Sequence, residues 1–254
     1  MNGDFDNPLL VFAVSILVLW LAARVGSFVA ARRSLAEEER EDFSLIVAAV
    51  LTLLGLLIGF SFSMATSRYD QRKNYEEAEA NAIGTELVRT DLLPSADAAK
   101  VRALIRDYLD QRVLFYTARD REQLRQINAR TARLQSALWS AILPPAAAQP
   151  NPVVALAVSG MNDVLNAQGY TQAAWWNRIP HAAWGLMVII AICCNLLVGY
   201  GMRSANKEAV LLLVLPLVVS IAFFLIADID SPRGGLVRVA PQNLLSLSES
   251  LPAH

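Results

Sequence analysis

Leu45–Arg72 reads LIVAAVLTLLGLLIGFSFSMATSRYDQR, an apolar run that passes without a break into a charged one. No Asp, Glu, Lys or Arg lies between Leu45 and Ala65, and about 20 such residues at about 1.5 Å rise cover the roughly 30 Å hydrocarbon core of a bilayer. Arg68, Tyr69, Asp70, Arg72 and Lys73 follow, with no Pro or Gly between Phe60 and Arg72 to end the helix. The stretch therefore predicts one helix that leaves the membrane and continues in water, a form suited to joining a gate in the bilayer to a domain outside it.

Around it, the 254-residue chain is 55% hydrophobic with a mean hydropathy of +0.38, and its apolar residues are gathered in blocks. The blocks are Pro8 to Ala31, Leu45 to Thr66, Ala182 to Met202 and Ala209 to Ala227, each near the length of a spanning helix. Arg24 can snorkel from the first, and neighbouring helices can accommodate Pro216 in the fourth. Asp4 and Asp6 replace the basic start of a signal peptide, so the first block is expected to be an anchor. The expected fold is an all-α integral membrane protein with four transmembrane helices and a helical extramembrane domain inserted between the second and third. Residues 1–66 hold helices 1 and 2, 67–180 the helical domain, 181–230 helices 3 and 4, and 231–254 a C-terminal tail.

Four spans put both termini and the helical domain on one side of the membrane. Arg32, Arg33, Arg40, Arg203 and Lys207 flank one side, against Arg68, Arg72, Lys73, Arg178, Arg233 and Arg238 on the other, so positive charge barely decides orientation. The acidic group Glu37, Glu38, Glu39, Glu41 and Asp42 in the first turn tips the expectation toward a cytoplasmic domain and cytoplasmic termini in the inner (plasma) membrane.

Chemistry is excluded by what is scarce. Cys193 and Cys194 are adjacent in the third block, and His181 and His254 are the only histidines, so no disulfide scaffold, zinc site or other metal cluster is expected. No nucleophilic triad or phosphate loop can be assembled, and the net charge of −1 with no basic aromatic stripe argues against nucleic acid. Neither an enzyme nor a cofactor is expected.

Between Ser67 and Ile179 the pattern is helical, with breaks expected at Leu93-Pro94 and from Pro144-Pro145 to Pro152. Ser95, Asp120 with Gln123, and Asn151 before Pro152 read as helix starts. Val101, Leu104, Ile105, Tyr108, Leu109 and Arg112 recur at helical spacing, as do Leu124, Ile127, Leu134, Leu138 and Ile142, which predicts a bundle. The run Glu76, Glu77, Glu79, Asn81, Glu86 and Asp91 could offer oxygen ligands to a cation, and Glu79 and Glu86 share one face as a possible acidic site. The plainer expectation is a charged, solvated helix face, with Arg89 pairing Glu86 at i+3.

On the second block, Thr52, Leu56, Phe60, Ser63 and Ser67 fall on one side, with Gly55 and Gly59 beside them, and this side is less lipid-like than Leu53, Leu54, Leu57 and Ile58. Two readings stand. Gly55 and Gly59 pack the helix against a neighbour within one subunit, or copies of the helix surround an axis, with an apolar constriction that gates by dewetting.

Leu57 to Ala65 (LIGFSFSMA) and Arg68 to Lys73 (RYDQRK) resemble the end of the second membrane helix of bestrophin channels. Over nearly its whole length the chain resembles bacterial bestrophin-like proteins, through Glu79 to Thr85, Arg89 to Pro94, Tyr108 to Arg112 and Asp228 to Gly234. The resemblance implies an ion channel, a homopentamer with one axial pathway for small monovalent ions such as chloride. Its partners would be the lipid bilayer, inorganic ions and further copies of itself. The pore neck falls on Thr52, Leu56 and Phe60, where Thr52 is more polar than the family pattern, and the vestibule on Ser63 and Ser67. Eukaryotic bestrophins bind calcium through an acidic cluster after the fourth span. Asp228 and Asp230 stand in a similar place, and two carboxylates are too few for a calcium clasp. Arg68, Arg72, Asp228, Asp230 and Arg233 are expected to couple the fourth span to the gate, and a non-conducting sensor or scaffold is the rival expectation.

Overall fold

The computed structural model describes residues 7–32, 37–202 and 210–251. Arg33, Arg203, Lys207 and His254 lie outside them, as do the side chains of Glu37 and Glu38. The described residues form α1 (Pro8–Arg32), α2 (Glu37–Arg89), α3 (Ser95–Thr117), α4 (Arg121–Ala148), α5 (Pro152–Trp176), α6 (His181–Gly201), α7 (Leu211–Asp230) and α8 (Gln242–Ser250), with a 3-10 turn at Thr90–Leu92. The expected all-α membrane fold is what the structure shows, with four helical stretches long and apolar enough to cross a bilayer among the described residues. α2 runs through Phe60, Arg68 and Arg72 without interruption, as its lack of breakers predicts.

The chain divides into two compact units, one of residues 1–69 with 178–238, the other of 70–177 with 239–254. In the first, Val11 and Leu19 of α1, Leu54 and Ala65 of α2, Trp184, Met187, Ala191 and Cys194 of α6, and Val219, Phe223 and Ile226 of α7 form one buried cluster. The rings of Trp184 and Phe223 meet edge to face at 5.9 Å. α1 and α6 cross where a Cβ on Gly26 would collide with the Leu196 carbonyl and one on Gly199 with the Ala23 carbonyl. Within a bilayer, where no hydrophobic drive pulls helices together, such backbone contact is a main source of association.

The expected outward face of α2 needs correction. Leu54 is buried, and Leu57 and Ile58 pack against the same cluster. Only Leu53, 46% exposed, keeps the lipid-like exposure expected of that set. One side of α2 thus belongs to the interior of its own unit.

In the second unit, Val101, Ile105, Tyr108, Leu109 and Arg112 of α3 and Ile127, Leu138 and Ile142 of α4 are buried, as their spacing predicts. Asp120 caps α4 by accepting from the Gln123 amide, and Asn151 caps α5 by accepting from the Val153 and Val154 amides. Ser95 is corrected from cap to first helical residue, because Pro94 occupies the cap position in extended conformation. Pro144 and Pro145 do not break the chain either. α4 continues through both to Ala148, with Pro145 buried on the stripe of Leu138, Ala141 and Ile142, so packing outweighs the lost backbone bonds.

The acidic run is solvated only in part, at the exposed Glu77, Asn81 and Asp91. Glu76, Glu79 and Glu86 are all buried. The Glu79 carboxylate meets Arg112 of α3, whose Nε donates to Oε1 and whose Nη2 donates to Oε2 at 3.3 Å, and it accepts from the Thr171 hydroxyl of α5 at 3.1 Å. Arg112 also lies over the Phe115 ring at 4.5 Å, and Phe115, Tyr116 and Trp175 meet one another edge to face. Burial opposes the Arg112 charge, but Glu79, through charge and hydrogen bond, and Tyr108 and Tyr116 together outweigh it and raise the guanidinium pKa. Burial and the same Glu79 hold the Tyr108 and Tyr116 hydroxyls well above their ordinary range. Glu76 accepts from the Asn243 and Leu244 amides at 3.0 Å each and from Asn243 Nδ2 at 2.6 Å, so a carboxylate of α2 caps the first turn of α8.

Two stability outcomes follow from these contacts. Gly199→Ala forces α1 and α6 apart and is expected to cost about 1–3 kcal/mol, read as a lower melting temperature in detergent while Gly55→Ala, which meets open space, leaves it unchanged. Glu79→Gln strands a buried guanidinium and is expected to cost about 3–5 kcal/mol in denaturant unfolding, with partial recovery when Arg112→Met is added.

Candidate functional site

The inward side of α2 is set by Leu54, Leu57, Ile58, Ser61 and Ala65, and a helix that commits these to a core must turn the residues half a turn away outward. Those are Thr52, Gly55, Leu56, Gly59, Phe60, Ser63 and Ser67, and all seven are exposed in the single chain. Leu56 is 53% and Phe60 62% exposed. The Thr52 hydroxyl donates to the Ala48 carbonyl at 2.8 Å, so part of its polarity is spent on its own helix. A Cβ at Gly55 or Gly59 would meet nothing within 4 Å, so among the described residues these glycines pack against no neighbour. The face expected to be either an internal contact or a shared wall is left open along its length, alternating small, apolar and hydroxyl side chains.

At the end of this face the chain places Arg68 against Asp230 of α7, with Nη1 and Oδ1 3.7 Å apart and both side chains largely shielded. Asp230 also accepts from the Ile179 amide at 3.2 and 3.1 Å, just ahead of α6. One carboxylate therefore touches three elements of the first unit, the end of α7, the approach to α6 and α2. Asp228 plays a different part. Its two oxygens accept from the Leu236 amide at 2.6 Å and the Val237 amide at 2.8 Å, folding the segment after α7 back on the helix end. A Cβ at Gly235 would collide with the Asp228 carbonyl, which makes that return tight. Of the expected pairings of Asp228 or Asp230 with Arg68 or Arg72, the structure forms that of Asp230 with Arg68, while Asp228 builds the turn.

Arg72 is buried in the second unit, and Arg233 lies in the turn, half-buried. Glu79 and Glu86, expected to share an acidic site, part company. Glu79 is neutralised by Arg112, whereas Glu86 is buried with neither oxygen hydrogen-bonded. Arg89, expected to pair with Glu86, reaches Asp163 of α5 at 4.0 Å instead. No group of three or more His, Cys, Asp and Glu side chains arranged to hold a metal occurs among the described residues. Backbone amides already occupy the oxygens that a cation at Asp228 and Asp230 would need.

Sequence reasoning missed three things here. Gly26 and Gly199 are the helix-crossing glycines, although Ala23 and Gly26 in α1, and Asn195 and Gly199 in α6, repeat small residues at helical spacing. Asn243, which binds Glu76, left no local signal, because its partner is far away in sequence. Gly160, which lies against Glu86, carries no local sequence signal of that contact.

Comparison with known proteins bears on the fold directly. The Bestrophin-like domain family matches residues 10–244. A tryptophan-to-alanine variant of a bacterial bestrophin homologue from Klebsiella pneumoniae superposes with a TM-score of 0.62 at 13% identity, over 98% of this chain and 100% of the other. A second crystal structure of a bacterial bestrophin homologue from Klebsiella pneumoniae gives 0.61 at 15% identity, over 96% and 99% of the two chains. At such identities the likeness shows the fold alone. No curated protein sequence matches. Since the family match spans nearly all of α1 to α8, the chain belongs to the bestrophin-like family, whose bestrophin members are known as ion channels.

Proposed function

We propose that the chain forms an oligomeric ion channel in the inner (plasma) membrane, in which several copies, five by likeness to bestrophins, place the open face of α2 around one axis. The observation that carries this reading is the face itself. A membrane helix whose opposite side is packed leaves Thr52, Leu56, Phe60, Ser63 and Ser67 exposed, with Gly55 and Gly59 meeting nothing, and such a surface is completed by other copies and by water. Leu56 and Phe60 form an apolar ring and Thr52 a weaker third one. Ser63 and Ser67 line a wetter vestibule. An apolar constriction of this kind passes small monovalent ions, chloride among them, only when wetted, and needs no charge in the pore.

Membership in the bestrophin-like family supports this assignment over an enzyme. The helical unit, with both termini, faces the cytoplasm. Arg68 and Asp230 carry a coupling role, because their contact ties α2 to α7 and to the start of α6 at the end of the pore face. Asp228 and Arg233 flank the same segments of the first unit and support that junction, and Arg72 follows Arg68 one turn later in the sequence of α2.

Ion flux from liposomes holding the purified protein under a salt gradient is expected, and Phe60→Ala is expected to raise it several-fold, with the reversal potential assigning the sign of the ion. No flux from either protein, given verified insertion, would establish the sensor or scaffold reading. Asp230→Asn keeps an acceptor for the Ile179 amide but removes the charge facing Arg68. It is expected to change open probability in single-channel records while the oligomer remains intact by light scattering. An unchanged open probability would remove the coupling role.

A further inference from the structure

Three carboxylates of α2 are buried in the second unit, and two of them are answered. Glu76 is held by backbone and side-chain amides of α8, and Glu79 by Arg112 and Thr171. Glu86 is 0% exposed, and neither of its oxygens has a hydrogen-bond partner. An ionised carboxylate in that position bears the full cost of desolvation, which a neutral carboxyl group largely avoids.

The surroundings show why the group is there without a partner. α5 passes so close that a Cβ on Gly160 would collide with Glu86 Oε2 and would lie 2.5 Å from Arg89 Nη1. The helices meet with a carboxyl group set against bare backbone. The charged groups facing it are Arg89 on its own helix and Asp163 on α5, which oppose each other. Arg89 is also drawn toward Asp163 at 4.0 Å and is partly in solvent, so its charge is shared. From the 3-10 turn, the Thr90 hydroxyl donates to the Leu87 carbonyl, and Asp91 is taken by Arg102 of α3. Burial first, with Asp163 adding and Arg89 opposing, pushes the Glu86 pKa up to about 8.

We propose that Glu86 is a proton-binding site, at which the neutral carboxyl group closes the contact of α2 with α5 over Gly160 and the ionised carboxylate opens it. On raising pH the proton leaves Oε for solvent hydroxide, and the new charge draws water or Arg89 into the contact. The folded pKa lies above the unfolded one, so the stability of the closed contact is complete below about pH 4.5 and is lost as pH rises to about 8. Because α2 is one helix from Glu37 to Arg89, the site gives the proposed channel a proton sensitivity, a consequence that rests on that channel reading.

The test is infrared difference spectroscopy of the full-length protein in liposomes during a pH titration, joined to hydrogen exchange over residues 152–165. A protonated-carboxyl band that vanishes with a midpoint near about pH 8 is expected, together with faster exchange around Gly160 beyond the intrinsic rise. Glu86→Gln should abolish both changes. Asp163→Asn removes a charge that favours the protonated form and should move the midpoint downward, which keeps the test decisive if Glu86→Gln fails to fold. A band that is absent, or that titrates identically in Glu86→Gln, or a midpoint that Asp163→Asn leaves unmoved, overturns the site. A band that titrates as expected in protein without ion flux preserves the proton site and refutes the channel. Flux without that band does the reverse.

Discussion

The structure depends on a helix that cannot stop. In hydrocarbon every backbone amide and carbonyl must be satisfied within the segment, and α2 meets that demand and then continues through 53 residues. At about 1.5 Å per residue it is roughly 80 Å long. Its first part spends one side on the core of α1, α6 and α7 and leaves the other open. Its second part spends its acids on the interior of a helical bundle. Glu76, Glu79 and Glu86 recur at helical spacing along that second part and so share one side of it.

Buried acids organise both units, and each is answered by a different chemistry. Asp228 takes two amides of a returning turn, and Asp230 shares itself between an amide and Arg68. Glu76 caps a helix, and Glu79 meets a guanidinium held over an aromatic ring. Amide donors and two arginines do here what a bound cation does in an acidic clasp. Glu86 is the exception, and an unanswered carboxyl group in a packed interior can persist at neutral pH by keeping its proton.

Features governed by near neighbours were legible. The uncharged run of Leu45–Ala65, the caps at Asp120 and Asn151, and the break at Leu93-Pro94 are each decided within a turn or two. The family resemblance resided in the same local segments. Misreadings arose where distant contacts override local preference. Pro144 and Pro145 continue a helix because Pro145 is buried, and the Glu76–Glu86 face lies inside because Arg112, Thr171 and Asn243 reach it from far along the chain.

From sequence alone came the four apolar blocks, the continuity of α2 and the composition of its Thr52–Ser67 face, because period and length suffice for these. Only the tertiary structure decided which side of α2 is packed, since Leu54, Leu57 and Phe60 are equally apolar and differ only in what comes to meet them. It likewise separated Gly26 and Gly199, pressed against backbone carbonyls, from Gly55 and Gly59, which face open space. It also separated Glu79 from Glu86. The two are alike in charge and helical phase, and they differ because α3 presents an arginine to one and α5 a bare glycine to the other.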